Sequence, residues 1–147
     1  MRFVSGGSDG LIKYWTYNTG TKKFDEAVIM GYGDWIRDVS FAQFNTMGLT
    51  LASEYYGASD MYDTIAICTE KGTASVLRME GSEWKEYKLA PSKASPTKLS
   101  WGVDGNNLAI SYEDNSVQVF EEVSAGKWEV CSQVSNEAPK PEENKQE

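Results

Sequence analysis

The sequence predicts an all-β protein built from small, repeated antiparallel sheets, and two observations lead to this class. One hairpin pattern, in which an apolar strand, a polar turn and a second strand ending on a large apolar residue follow each other, occurs three times. After each hairpin, a charged residue followed by an aromatic residue marks a further strand. The hairpins are Phe3–Trp15, Ile65–Leu77 and Leu108–Phe120, and the charged–aromatic pairs end on Phe24, Trp84 and Trp128.

Each hairpin turn is rich in the residues that tight turns require. Asp, Asn and Gly adopt left-handed backbone conformations at low cost and form local hydrogen bonds. The turns are Ser8–Gly10, Glu70–Gly72 and Glu113–Asn115. Because a hairpin of one design occurs three times, the chain contains an internal repeat, and this repeat predicts the architecture.

Eleven strands are predicted, in the order b, c, d and then twice a, b, c, d. Four short antiparallel strands per repeat are typical of a β-propeller blade. We therefore predict a partial, open β-propeller of about three blades at residues 1–30, 31–89 and 90–134, followed by a disordered acidic tail at 135–147. The predicted strands are Arg2–Gly6, Leu11–Thr16, Lys23–Met30, Asp34–Phe41, Ile65–Cys68, Thr73–Met79, Glu83–Leu89, Thr97–Trp101, Asn107–Ser111, Ser116–Phe120 and Lys127–Val134.

A β-propeller is a ring of blades, and three blades are too few to close such a ring. Propellers typically close with four to eight blades, and a smaller number leaves sheet faces and a sheet edge without partners. We expect the chain to be part of a longer propeller, to be completed by another chain, or to come from a truncated gene model. The absence of an a strand before Arg2 favours a piece of a larger assembly.

Composition and charge exclude several classes of function. The chain has 147 residues, of which 40% are hydrophobic, so one domain with a sizeable core is expected. The net charge of −8 argues against direct binding to nucleic acid or to anionic lipid. The N-terminus lacks the hydrophobic segment of a signal peptide, and no apolar run approaches the length of a membrane-spanning helix. We expect a cytoplasmic or nuclear protein, or one on the cytosolic face of a membrane.

The residues offer little chemistry for catalysis. There is no histidine, which removes the commonest general base and the commonest metal ligand. We therefore expect no cofactor, no bound metal and no small-molecule substrate. Turn and strand-end hydrogen bonds explain Asp9, Asp34 and Asp38 better than a catalytic carboxylate pair does. An enzyme on a propeller scaffold is the least favoured alternative.

Two groups of residues are predicted to lie in the core. Cys68 and Cys131 each lie in a predicted strand among apolar neighbours, so both are expected to be small buried hydrophobic residues. Four tryptophans recur at repeat positions and are expected to pack between blades. These are Trp15, Trp84, Trp101 and Trp128.

Three aromatic residues are candidates for contact with a partner protein. Trp35 begins a predicted a strand near the mouth of the propeller. Tyr55 and Tyr56 lie in an insertion at residues 48–63, where they form either a recognition surface or packing of the loop against the body.

Several segments together resemble the C-terminal half of the small WD-repeat propeller of the COPII outer coat, a family shared with the Y-shaped scaffold complex of the nuclear pore. The most specific are DWIRDVSFA at residues 34–42 and GKWEVC at residues 126–131. Order and spacing agree over most of residues 2–134, and a related nuclear-pore propeller is a close second. The other matching segments are Arg2–Trp15, Leu99–Trp101 and Asn107–Phe120.

The resemblance implies a non-enzymatic scaffold with an open, six-bladed propeller that an inserted β segment completes. The partner would be the large outer-coat subunit of COPII at the endoplasmic reticulum or a scaffold nucleoporin at the nuclear pore, and contact with the membrane would be indirect. The middle blade departs from the pattern, because it carries the Tyr55-Tyr56 insertion and has Leu77 where tryptophan is usual. No Gly-His pair is present, so the Asp-His-Ser-Trp network of ordinary WD blades cannot form.

The main alternative function is a WD-repeat adaptor that recognises short peptide motifs on the top face of the propeller. Its recognising aromatic residues would be Tyr32, Trp35, Tyr55 and Tyr56. Alanine at these positions would then abolish peptide binding without unfolding the protein.

Overall fold

The structure, a computed structural model, describes residues 1–42, 63–103 and 105–135. It confirms the predicted all-β class, because these ranges hold eleven strands and no helix. The strands are β1 (Arg2–Gly6), β2 (Leu11–Asn18), β3 (Lys23–Gly31), β4 (Ile36–Phe41), β5 (Thr64–Thr69), β6 (Ala74–Glu80), β7 (Glu83–Lys88), β8 (Pro96–Trp101), β9 (Asn107–Tyr112), β10 (Val117–Ser124) and β11 (Lys127–Val134).

The strands form three open antiparallel sheets in chain order. Sheet 1 has three strands in the order β1-β2-β3, whereas sheet 2 (β4-β5-β6-β7) and sheet 3 (β8-β9-β10-β11) have four each. Strand neighbours also follow each other in sequence, so each sheet is a meander of hairpins. By its place in the repeat, β1 corresponds to β5 and β9, and sheet 1 therefore has no described counterpart of β4 and β8.

The hairpin turns adopt the conformations that their residues predict. The backbone is left-handed at Gly10, Gly72 and Asn115, with φ of 73°, 99° and 63°. In the first turn the Leu11 N–H donates to the Asp9 carboxylate at 3.1 Å. Aspartate therefore has a local structural role in this turn, as the sequence predicted.

Two hydrophobic layers hold the three sheets together. The first lies between sheets 1 and 2 and contains Ile12, Tyr14, Ile65, Ile67 and Leu77. The second lies between sheets 2 and 3, and all six residues of β5 are buried because sheet 2 is covered on both faces. The buried residues of the second layer are Ala66, Cys68, Val76, Leu89, Leu99, Leu108, Ile110, Tyr112, Phe120 and Trp128.

Side chains alternate along each strand, so each sheet has two faces. We call the face towards the preceding sheet the front face and the face towards the following sheet the back face. In sheet 2 the paired residues Ile65 and Leu77 lie on the front face, and the paired residues Ala66 and Val76 lie on the back face. The same naming applies to sheets 1 and 3.

Polar contacts also join sheets 2 and 3. The Arg78 guanidinium donates to both carboxylate oxygens of Glu122 at 2.8 and 2.6 Å, and each side chain is only 17% exposed. Glu122 also accepts the Gly126 N–H at 2.7 Å. On the inner strands, the Leu99 N–H donates to the Asp38 carboxylate at 2.9 Å. Polar contacts thus join sheets 2 and 3 both between β6 and β10 and between β4 and β8.

The structure corrects the prediction that both cysteines are buried. Cys68 is fully buried on β5, and burial raises the pKa of its thiol to about 12. Cys131 is exposed, as is every residue of β11 except Trp128, because β11 is the edge strand of sheet 3. Cys131 is also the extra residue of a bulge, where Val119 pairs with Ser132 and Phe120 pairs with Val130. The pattern of apolar residues in the strand does not indicate a register shift of this kind.

The tryptophans divide in a way that the repeat pattern did not predict. Trp84 packs against the first hydrophobic layer, while Trp101 and Trp128 pack in the second. Trp15 belongs to neither layer of the described residues. It lies on the front face of sheet 1 and stacks on Phe3 with ring centroids 5.4 Å apart.

Candidate protein–protein interface

The inner edge of sheet 1 is the first candidate interface. In the described residues, β2 is the only hydrogen-bonded neighbour of β1. The Tyr17 N–H donates to the Met1 carbonyl at 2.9 Å, so Met1 and Tyr17 form a hydrogen-bonded pair. Hydrogen-bonded and non-hydrogen-bonded pairs alternate along an antiparallel ladder. The N–H and C=O groups of Arg2 and Val4 therefore point away from β2. This edge therefore presents main-chain donors and acceptors for one more strand.

Side-chain contacts hold the start of β1 in place. The Asp63 carboxylate accepts hydrogen bonds from Arg2 at 2.7 Å and from the Tyr14 hydroxyl at 2.5 Å. Burial and the neighbouring Asp63 carboxylate raise the pKa of Tyr14. The edge strand is thus tied to the residue just before β5.

Trp35 is the second candidate, and its side chain is 60% exposed. Its backbone is fixed on both sides, since its N–H donates to Asp34 at 2.9 Å and its carbonyl accepts the Glu70 N–H at 2.9 Å. Asp34 also accepts the Lys71 N–H at 2.8 Å. These turn-like bonds explain why β4 begins at Ile36, two residues later than predicted. They also place an exposed indole on a rigid support.

A group of ion pairs begins two residues beyond Trp35. The Arg37 guanidinium forms ion pairs with Glu70 and, at 3.1 Å, with Glu113. Glu70 lies in the β5–β6 turn and Glu113 in the β9–β10 turn, so one arginine joins equivalent turns of two sheets. These carboxylates are therefore engaged in structural contacts.

Of the other predicted recognition residues, Tyr32 is half-buried and the remaining two lie outside the described residues. Tyr32 is half-buried against the first hydrophobic layer, and its hydroxyl donates to Glu86 at 2.9 Å. Its pKa is raised by burial and by the Glu86 carboxylate, and its polar group is occupied within the fold. Tyr55 and Tyr56 lie outside the described residues.

A cluster of aromatic residues on the front face of sheet 1 was missed by sequence reasoning. Phe3 and Phe24 are 41% and 37% exposed, and they pack edge to face with ring centroids 5.0 Å apart. Tyr17 extends the cluster at 5.2 Å from Phe24. Adjacent aromatic residues on an exposed sheet face are typical of a protein-binding surface. Phe3 and Phe24 were predicted only as strand residues of the repeat, and the arrangement of the sheets reveals their exposure.

The described ranges contain no group of three or more Cys, Asp or Glu residues arranged to hold a metal ion. They also contain no helix with the length and apolar character needed to cross a membrane.

Comparison with known proteins places the chain in a family. Residues 58–140 match the family model described as the anaphase-promoting complex subunit 4 WD40 domain. The chain is 34% identical over 137 residues to "Protein transport protein SEC13" of Kluyveromyces lactis, covering 91% of this chain and 41% of that protein. It is 32% identical over 136 residues to the protein of the same name from Saccharomyces cerevisiae, covering 90% and 42%.

The chain spans about two fifths of the length of these curated relatives. The match nevertheless includes nearly all of the chain itself, and the all-β architecture of three open sheets agrees with it. The chain therefore belongs to the WD40 domain family and is a Sec13-like WD-repeat protein.

Proposed function

We propose that this chain is a non-enzymatic scaffold in protein transport. Its three sheets are propeller blades at about residues 1–30, 31–89 and 90–134. Its place is the outer cage of the COPII coat on the cytoplasmic side of the endoplasmic reticulum, the nuclear pore scaffold, or both. The partner is the large outer-coat subunit or a scaffold nucleoporin, which supplies a β segment. The named relatives support the transport role, since each is described as a protein transport protein.

The observation that carries the proposal is that β1 has one hydrogen-bonded neighbour among the described residues, whereas the corresponding strands β5 and β9 each have two. In sheets 2 and 3, the strands β4 and β8 pair antiparallel with β5 and β9. An added strand would take the corresponding place beside β1, with main-chain bonds to Arg2 and Val4. When a strand is added to an open sheet edge, its main-chain hydrogen bonds provide the affinity and its alternate side chains provide the specificity.

Val4→Pro tests this pairing, because proline removes the N–H that points away from β2 and keeps the bonds between β1 and β2. We expect Val4→Pro to bind the partner β segment at least about tenfold more weakly than the unmodified chain does, the equivalent of about 1.4 kcal/mol. The measurement is titration calorimetry of residues 1–147 against synthetic β segments of the two proposed partners.

Val4→Ala is the matched control, since it removes the same packing against the first hydrophobic layer and retains the N–H. It should bind as the unmodified chain does. Equal binding by Val4→Pro would contradict strand addition at β1, and failure of the unmodified chain to bind either segment would contradict the proposed partners.

A second candidate function is a peptide adaptor, which the exposed indole of Trp35 favours. Its fixed backbone means that little conformational freedom would be lost when a peptide packs on the ring. We expect Trp35→Ala to lose most of the signal when labelled protein is applied to an array of short synthetic peptides. Val103→Ala, at a 73% exposed position in the β8–β9 turn, is the control. An unchanged array pattern for Trp35→Ala would remove the adaptor function.

A further inference from the structure

The backbone position of Trp35 occurs twice in the described repeat. The residue before β4 corresponds to the residue before β8, so Trp35 of sheet 2 is equivalent to Ser95 of sheet 3. The Glu70 N–H donates to the Trp35 carbonyl at 2.9 Å, and the Glu113 N–H donates to the Ser95 carbonyl at 3.0 Å. In both strands a bulge follows at the second residue. The two positions are therefore held in the same way.

The side chains at these equivalent positions differ. Trp35 is 60% exposed and belongs to neither hydrophobic layer of the described residues, whereas Ser95 is a half-buried serine. Trp35 belongs to the middle sheet, which has a described sheet on each side. Because a small polar residue suffices at this position in sheet 3, the fold does not require an indole there. Exposed tryptophans of this kind are typical anchors of protein interfaces.

Negative charge is in excess beside the backbone of Trp35. One guanidinium, that of Arg37, forms ion pairs with both Glu70 and Glu113, whose side chains are 41% and 51% exposed. Glu70 is also the residue whose N–H holds the Trp35 carbonyl. A carboxylate has room for more donors than one arginine supplies. This end of sheet 2 therefore offers exposed acceptors together with an exposed indole.

We propose that Trp35 binds an arginine or lysine side chain in a basic peptide segment of a partner protein. The cation would lie over the face of the indole, because tryptophan attracts cations most strongly among the aromatic residues. The carboxylates of Glu70 and Glu113 would accept hydrogen bonds from the same segment. The net charge of −8 favours the approach of a basic segment over an acidic one. Such a contact rests on the proposed peptide adaptor function and defines the charge of its ligand.

Synthetic peptides of glycine and serine that carry arginine, citrulline or glutamate at the same positions test the proposal. Citrulline has nearly the shape of arginine but no charge. The measurement is the fluorescence anisotropy of each labelled peptide during titration with residues 1–147. The arginine peptide should bind at least about tenfold more tightly than the citrulline peptide, and the glutamate peptide should bind most weakly.

Trp35→Ser is the decisive variant, because it gives sheet 2 the residue that sheet 3 has at this position. It leaves the net charge unchanged, so any attraction between the acidic chain and a basic peptide that does not involve the indole persists. We expect Trp35→Ser to bind the arginine peptide at least about tenfold more weakly, with unchanged far-ultraviolet circular dichroism. Val103→Ser, at a 73% exposed position in the β8–β9 turn, is the control and should bind as the unmodified chain does.

The outcomes separate the charge of the ligand from the adaptor function. Equal binding of the arginine and citrulline peptides, with both lost in Trp35→Ser, would overturn the preference for a cation and leave the adaptor function standing. Equal binding of the arginine peptide by Trp35→Ser and by the unmodified chain would mean that net charge alone attracts it, and would overturn the site. Failure of the unmodified chain to bind the arginine peptide would also overturn the proposal, while the peptide array with Trp35→Ala tests the adaptor function separately.

Discussion

Phe120→Ala is expected to lower the free energy of unfolding by about 3–5 kcal/mol, the usual cost of removing a buried phenylalanine. Phe120 is 0% exposed and lies in the layer between sheets 2 and 3. The deletion leaves a cavity where two sheets meet, and each sheet is held rigidly by its own hydrogen bonds, so the neighbouring side chains can fill little of it. Urea unfolding followed by tryptophan fluorescence measures the change.

The control for this experiment is Val123→Ala on the same strand, where the side chain is 51% exposed. Its effect should stay within about 0.5 kcal/mol, as for most surface positions. A loss below about 1 kcal/mol for Phe120→Ala would mean that the packing between sheets 2 and 3 contributes little to stability. The same measurement therefore tests whether the stacked sheets behave as one cooperative unit.

Local chemistry explains what could be predicted from the sequence. The turns depend on residues such as Gly10 and Asn115, whose conformational preferences are independent of the rest of the chain. The strands follow from apolar residues between those turns, so their number and order were predictable. The ends of the strands were less predictable. The start of β4, for example, depends on a hydrogen bond between the Trp35 carbonyl and the N–H of Glu70, 35 residues further along the chain.

The candidate interface was less predictable, because exposure depends on which sheets stack. Phe3 and Leu108 occupy the same repeat position, and their sequences give no reason to expect one exposed and one buried. The exposure of Cys131 likewise follows from the place of β11 at the edge of sheet 3, where every residue except Trp128 is exposed. Trp35 was predicted as a possible contact, but its rigid support comes from a turn of the next hairpin.

The ion pair between Arg78 and Glu122 also lay beyond sequence reasoning, and it predicts the second large effect. Arg78→Met is expected to lower the free energy of unfolding by about 2–4 kcal/mol at pH 7, because it leaves Glu122 charged and largely buried without its partner. Adding Glu122→Gln should recover part of the loss, since the amide keeps an acceptor for the Gly126 N–H and removes the unpaired charge. Failure of the double variant to recover any stability would point to lost packing of the arginine side chain.

The effect of Arg78→Met should depend on pH in a defined direction. Burial raises the pKa of Glu122, but the hydrogen bonds from Arg78 and from the Gly126 N–H outweigh it and hold the pKa below its usual 4.5. A carboxyl group with a lowered pKa in the folded state contributes its full stability above the pKa of the unfolded chain. That contribution disappears as the pH falls through the lower pKa of the folded state. The difference between the unmodified chain and Arg78→Met should therefore be constant from pH 6 to 8 and narrow below about pH 4.5. A difference that persists unchanged into acid would show that the charge of Glu122 is not what joins these two sheets.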